Sequence, residues 1–337
     1  SSDLSNPNNL RSTIEKFDIK YIVPSCNDAS FSSASSVAQE FGFRGYGSKQ
    51  DTLNIMDKWH YRNMLVNQSF NIPFERIFDE FSLSKVGGDV LAKPFQSHSG
   101  IGIQRFNLDD RKNYYALKDL KSTHFVEAFH DGTLHSHSAF FRDGEIVSDF
   151  LVDEYCTHIE YSVNESNHPS TLSIDVFENA RGITRKLASL LNVTDGLLHT
   201  QFIHFQDRLW VLESMRRCPG DLYGSMIEKS TNYDYYKNYV APFVGKKCQN
   251  IELNEKSRLV KRQSIYSTKQ GRLQEFTCTF DEQEIESIDL IPFILPFDNC
   301  GSGLEGKTGI VFFTLKENVS IPHSFHAFRS YAKAHLP

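Results

Sequence analysis

Val211-Leu212-Glu213-Ser214-Met215-Arg216-Arg217-Cys218-Pro219-Gly220-Asp221-Leu222-Tyr223-Gly224 starts as an apolar strand and ends as a loop crowded with charge. Upstream, Phe202–Phe205 and Leu209–Leu212 are apolar runs on either side of Gln206-Asp207-Arg208, a pattern that predicts two strands around a tight turn. The second strand runs into a carboxylate, two adjacent guanidiniums, a Pro-Gly breaker and another carboxylate. So much charge at the end of a core strand is costly to bury unless it meets a metal, a phosphate or a partner. Arginine also presents a planar fork suited to phosphate or carboxylate oxygens. A strand followed by a salt-bridged loop explains the same residues, so the remainder of the chain has to decide.

With 337 residues, the chain is long for one core and is expected to form two or three lobes. At 39% hydrophobic and 23% charged residues it has an ordinary globular composition, and 27 Phe supply bulky cores. A net charge of −6 without a Lys/Arg cluster leaves no electrostatic footprint for nucleic acid. No apolar run approaches the ~20 residues of a membrane span, and the first residues are polar rather than signal-like, so no membrane partner is expected. The six cysteines (26, 156, 218, 248, 278 and 300) include no Cys-x-x-Cys pair. This favours reduced thiols in a cytoplasmic protein over a disulfide frame or zinc site. Asn-x-Ser/Thr triplets at Asn67, Asn164, Asn192 and Asn318 carry no weight without a secretory signal.

Taken in order, Leu10–Phe17 has helical spacing, Tyr21–Pro24 is expected as a short strand, and Ala29–Phe41 as a helix closed by Gly42. Asp51–Asn67 is expected as one helix carrying Asp57-Lys58-Trp59-His60-Tyr61-Arg62. Val90–Phe95 is a buried strand interrupted by Lys93 before Pro94, and an unpaired lysine in an apolar strand is rare enough to suggest function. The loop that follows, Gln96-Ser97-His98-Ser99-Gly100-Ile101-Gly102-Ile103, is rich in backbone donors that can close over phosphate oxygens, although a hairpin turn would look the same. It matches neither the P-loop nor the dinucleotide-binding glycine spacing. His124–Phe129 is a strand interrupted by Glu127, and Asp143-Gly144 is a hairpin turn. Ser173–Leu191 is an amphipathic helix. After residue 258 the chain turns to short strands, with 308–315 the clearest.

The order of these pieces resembles the ATP-grasp superfamily in its carboxylate–amine ligase branch, similar to the biotin carboxylase and carbamoyl phosphate synthase type. The matching segments are Asp57-Lys58…Arg62, Leu91-Ala92-Lys93-Pro94 with Ser99-Gly100-Ile101-Gly102, Phe125–Phe129…Gly132, and Leu212-Glu213…Arg217-Cys218-Pro219-Gly220. They span roughly residues 20–245. The resemblance implies an α+β fold with two lobes clamping ATP. A partial leading α/β domain is expected over 1–50, the ATP-grasp domain over 51–245 (lobes 51–123 and 124–245), and a β-rich part over 246–337. The family's leading domain normally carries more strands and helices before the 21–24 strand, so a longer N-terminal domain is expected upstream of residue 1. In the roles the resemblance implies, Lys58 and Lys93 neutralise ATP phosphates under the loop of Ser99, Gly100 and Gly102. Glu127, Ala128 and Phe129 border the adenine, Glu213 and Gln201 hold Mg²⁺ (or Mn²⁺), and Arg217 steadies an acyl phosphate.

Some positions depart from the family. It usually has an acid where this chain has Gln201 and an asparagine where it has Met215, and acidic residues are frequent at Leu134 and Ser138. A thioether is a poor ligand for a hard cation, so a second Mg²⁺ is expected to be held loosely or by fewer protein groups. Arg216, Arg217 and Asp221 are expected to face the acceptor, with Asp221 a base or an anchor for an amine. The expected activity is ADP-forming ligation of a small-molecule carboxylate to an amine. A nucleotide-binding regulatory protein with a degenerate site is the alternative, and a kinase on the same fold a third. The oligomeric state stays open, a dimer included. His199, Cys218 and the tyrosines 233, 235, 236 and 239 read as packing, and His98 as a surface residue.

Overall fold

The computed structural model describes residues 3–77, 80–97, 100–249, 257–267, 269–317 and 331–335. Alternating apolar residues build a four-stranded antiparallel sheet in the order Phe74–Arg76, His124–Ala128, Asp89–Pro94, Gln104–Asn107. Val90, Ala92 and Val126 point to one face, where they pack with Ile77, Leu83 and Leu117. The pleat then sends Leu91, Lys93, Phe125 and Glu127 to the other face. One lysine and one glutamate in the apolar pattern therefore mark the face that is not closed by helices.

An eight-stranded antiparallel sheet forms the larger body, in the order Ile285–Pro292, Lys307–Leu315, Val260–Tyr266, Glu165–His168, Glu145–Tyr155, Thr133–Arg142, Gly196–Phe205, Arg208–Met215. Ala139, Phe141, Leu151, Leu198 and Phe202 bury one face against the helix Ile174–Leu190 and against Tyr61 and Leu65. Phe140, Phe150, Val152, Val260 and Phe312 bury the other under the helices Tyr223–Thr231 and Tyr235–Val240. At ~1.5–3 kcal/mol for each large apolar side chain, these two cores outweigh any local propensity in fixing the fold. The hairpin turns are as expected: Gln206 and Asp207 (φ 51° and 55°) and Asp143 and Gly144 (φ 53° and 86°) take the left-handed pair of conformations that matches strand twist. The tyrosine run is packing, because Tyr233, Tyr235 and Tyr239 lie inside this second core.

Two sequence expectations fail for identifiable reasons. No strand forms over 21–24: the carbonyl of Ile22 accepts from Tyr46 Oη and that of Pro24 from Tyr239 Oη, both at 2.9 Å. Hydroxyls on neighbouring elements thus replace a strand partner, and the described residues before 50 form only the helices Pro7–Phe17 and Asp28–Phe41 and the start of a third. The helix expected over 51–67 is two helices, Lys49–Met56 and Lys58–Met64. Asp57 breaks it in an extended conformation, and its carboxylate caps the second helix by accepting from the His60 N–H at 3.0 Å. That break sets Lys58 at the start of a helix whose first N–H bonds to Phe95 O, tying it to the end of the Lys93 strand. Among the described residues no helix is long and apolar enough to cross a membrane.

Candidate active site

A cleft of ≈ 1470 Å³ lies between the two sheets. It exceeds the ~300–1000 Å³ of a typical single-ligand pocket and has room for a nucleotide beside a second molecule. At its centre, Glu127 pairs with two cations from different elements: Arg62 Nε at 2.6 Å and Lys93 Nζ at 2.6 Å. Arg62 also donates to the carbonyls of Val211 at 2.8 Å and Leu212 at 2.7 Å. One guanidinium therefore joins the helix Lys58–Met64, the small sheet and the last strand of the large sheet. Burial would raise the Glu127 carboxyl, but Arg62 and Lys93 outweigh it and hold it at about 2. Burial lowers the Lys93 ammonium below the ordinary lysine value, with Glu127 opposing. Glu127 is thus spent on Arg62 and Lys93, which leaves its carboxylate no oxygen clear of a cation.

Lys58 Nζ reaches Glu213 Oε2 at 3.3 Å and the Ser97 carbonyl at 3.0 Å. Glu213 has 38% of its side chain exposed, toward the cleft. The walls around it favour protonation by burial, yet Lys58, Lys93 and Arg217 keep it charged and below the usual range. Its cross-strand partner is Gln201, whose Nε2 donates to Glu154 Oε2 at 2.6 Å. Burial pushes the Glu154 carboxyl up. Met215 lines the cleft beside them. Among the described residues no three His, Cys, Asp or Glu side chains converge into a metal cage. The donor set fits Mg²⁺ only in the manner of nucleotide enzymes, with one or two protein carboxylates and phosphate oxygens completing the shell.

Arg217 lines the other end of the cleft, paired through Nε with Asp28 at the head of the helix Asp28–Phe41. Its Nη1 donates to the carbonyls of Cys26 and Cys218, each at 3.3 Å. Asp221 is held by Lys307 Nζ, by Ser264 Oγ at 3.2 Å and by Arg262 Nη1 at 3.6 Å. Burial opposes its ionisation, but Arg262 and Lys307 keep it below the usual carboxylate range. Arg216, expected beside Arg217 and Asp221, does not line the cleft with them. It turns to the far side of the strand and donates to Asp195 O at 2.6 Å, 8% exposed. The chain bends just past the end of the strand at Met215, and there the two neighbouring arginines part, one to Asp195 and one to Asp28.

The remaining expected residues divide. Gly100 and Gly102 line the loop with φ of 73° and 80°, and a Cβ on Gly100 would sit 2.7 Å from Tyr161 O, so the loop rests on the large body. Ser99 and His98 lie outside the described residues. Ala128 and Phe129 border the cleft, but their N–H groups are spent on Pro73 O and Asp89 O at 2.8 Å. They offer a wall and carbonyls rather than donors. Ser138 is buried against His199 Nδ1 at 2.7 Å, away from the position of an open acid. His199 is held down to about 3 by burial and by Arg217, so it is a neutral core histidine. Cys218 is buried, whereas Cys26 is exposed in the cleft, its thiol brought down to about 7 mainly by a hydrogen bond from Cys218.

Sequence reasoning gave no role to Arg62, Glu154, Arg262 or Lys307, all of which line the cleft. Arg62 is one helical turn from Lys58 and was visible as spacing. The acids of Phe150-Leu151-Val152-Asp153-Glu154-Tyr155 sit in an alternating strand, where Glu154 breaks the apolar face of Phe150 and Val152. Arg262 and Lys307 come from distant strands, and no local pattern joins them to Asp221.

No protein-family model matches the chain, and no curated protein does. Solved structures do match. The L-amino acid ligase from Bacillus licheniformis superposes with a TM-score of 0.75 at 16% identity, covering 96% of this chain and 81% of that one. Phosphoribosylglycinamide synthetase from Anaerococcus prevotii gives 0.72 at 14%, covering 93% and 82%. Biotin carboxylase from Campylobacter jejuni, solved as a β-γ-ATP complex, gives 0.71 at 11%, covering 92% and 74%. At these identities the likeness is one of fold.

Proposed function

We propose, from the premise that this chain has the ATP-grasp fold of those three structures, that it is an ATP- and Mg²⁺-dependent ligase joining a carboxylate to an amine. The observation that carries the proposal is the convergence on one cleft of Lys58 from a helix, Lys93 from the small sheet, and Glu213 and Arg217 from the last strand of the large sheet and the loop that follows it. Phosphoryl transfer asks little covalent help of a protein and much arranged positive charge, which is what this cleft holds.

In this mechanism Lys93 and Lys58 bind the phosphates of ATP. Lys58 rests on Glu213 in this structure, and the loop around Gly100 and Gly102 covers the nucleotide. A divalent cation on Glu213, with Gln201 beside it, would neutralise charge on the transferring phosphoryl group. A carboxylate oxygen of the substrate attacks the γ-phosphorus, the bond to the β-γ bridging oxygen breaks, and ADP leaves. Arg217 steadies the resulting acyl phosphate, and Asp28 keeps its guanidinium plane in place. An amine then adds to the acyl carbon, inorganic phosphate departs, and one proton leaves the nitrogen. A carboxylate held as low as Asp221 is a weak base and is already paired with two cations, so in place of the expected base or amine anchor it is assigned the holding of Arg262 and Lys307 at that end of the cleft. Glu127 serves by holding Lys93 and Arg62 rather than by meeting the base.

The test is nucleotide product analysis with MgATP and pooled amino acids and organic acids. ADP formation that needs both a carboxylate and an amine supports the ligase. AMP with pyrophosphate, or a stable phosphorylated product from one substrate alone, would overturn it.

A further inference from the structure

Among the described residues, the buried acids near the cleft and in the large sheet each have a cation or a helix cap as partner, except Glu154. Glu127 faces Arg62 and Lys93, Asp149 faces Arg181, Asp153 faces His135 and Glu165 faces Lys261. Asp51 caps a helix. Glu154 is 4% exposed, and among the described residues no Lys, Arg or His forms an ion pair with it, Arg262 and His135 acting on its charge only from beyond that distance. Its hydrogen bonds, from Gln201 and Ser136, are neutral. Those distant charges do not outweigh burial, which still pushes the Glu154 carboxyl up, and a cation in contact with it would offset that cost.

The sheet register says where such a cation would sit. Gln201 pairs with Glu213 on one side and Ser136 on the other, and Ser136 pairs with Val152. Glu154 is two residues beyond Val152 and so projects from the same face. Glu213, Gln201 and Glu154 therefore share one face of three strands on the cleft side, the last two only 2.6 Å apart at Nε2 and Oε2. Position 201 carries an amide, and a carboxylate stands within hydrogen-bond distance of it.

We propose that Glu154 supplies, from the strand Glu145–Tyr155, a second carboxylate on this face, so that Glu154 and Glu213 together hold the divalent cation while Gln201 orients Glu154. This inference rests on the nucleotide-and-metal reading above and adds to it the residue that completes the donor set. A substrate ammonium is the other cation that could balance Glu154, and metal binding separates the two.

The experiment measures Mn²⁺ binding to the full chain by electron paramagnetic resonance, with and without ADP, and metal-free ADP binding by calorimetry. Glu154→Gln should weaken Mn²⁺ in the ADP complex at least about tenfold, in line with the dependence of hard-cation affinity on ligand charge. Metal-free ADP binding should stay within about twofold of the parent. The exchange variant Glu154→Gln/Gln201→Glu moves the acid to position 201, keeps the paired hydrogen bond and net charge, and should recover Mn²⁺ affinity to within about threefold. Parent-like Mn²⁺ affinity in Glu154→Gln, or an exchange variant as weak as Glu154→Gln, would overturn the assignment. If the parent binds no ADP with or without metal, the ligase reading fails first and takes this inference with it.

Discussion

Replacing Glu127 with Gln tests the pairing at the centre of the cleft. The side chain keeps its shape but loses the charge that Arg62 Nε and Lys93 Nζ each approach at 2.6 Å. The carboxyl is held down to about 2 in the fold, against 4.5 for an unperturbed glutamate. That difference is worth about 3 kcal/mol at ~1.36 kcal/mol per pH unit. Breaking a buried ion pair by removing one partner costs ~3–5 kcal/mol, so two independent routes give the same size. Because the folded value is depressed, the stabilisation is complete above 4.5 and is lost as pH falls from there toward 2. The assay is urea unfolding of Glu127→Gln and its parent at pH 7 and pH 3.5, both in a Trp210→Phe background. Trp59, packed on Phe74 and Phe125 at centroid distances of 5.2 and 5.8 Å, then reports alone. The variant should lose about 3–5 kcal/mol at pH 7 and clearly less at pH 3.5. A loss below about 1 kcal/mol, or an equal loss at both pH values, would refute the pairing as described.

Other outcomes follow from the same geometry. Lys93→Met leaves Glu127 paired with Arg62, so it should fold yet weaken ATP binding at least about tenfold, the ~1.4 kcal/mol of a lost phosphate contact, by calorimetry. Gly132→Ala would place a Cβ 2.3 Å from His204 O and 2.7 Å from Ile203 Cγ2, and overpacking of ~1–3 kcal/mol should lower Tm by several degrees in a thermal melt. Alkylation of Cys26 should show a midpoint near pH 7, and Cys218→Ala should move that midpoint upward by removing the hydrogen bond that favours the thiolate; mass spectrometry of the alkylated peptide against pH checks both.

Much of the large body was legible because its strands alternate cleanly and its turns carry the residues that left-handed conformations favour, as at Asp143-Gly144. Lys93 announced itself by being charged in an apolar strand, and the order of the other segments brought Lys58, Glu213 and Arg217 to the same cleft. What stayed hidden was set by contacts distant in sequence. Nothing local to Ile22 or Pro24 reveals that tyrosines 46 and 239 take their carbonyls and remove the need for a strand. The break at Asp57 was carried by a capping side chain inside a continuous apolar pattern, where periodicity is blind to a single cap. Arg216 and Arg217 looked equivalent as neighbours, and only the bend after Met215 separated the one that lines the cleft from the one that braces Asp195. Glu154 was invisible because its significance lies in Gln201 two strands away.

Isotope transfer from the carboxylate tests the ligase account most directly. The protein would be incubated with MgATP, an amine pool and amino acids carrying ¹⁸O in their carboxylates, and the released phosphate examined by ³¹P NMR. Attack of the carboxylate on the γ-phosphorus predicts that each phosphate formed alongside ADP carries one oxygen from the carboxylate. Unlabelled phosphate accompanying amide product, or label appearing in AMP, would contradict it.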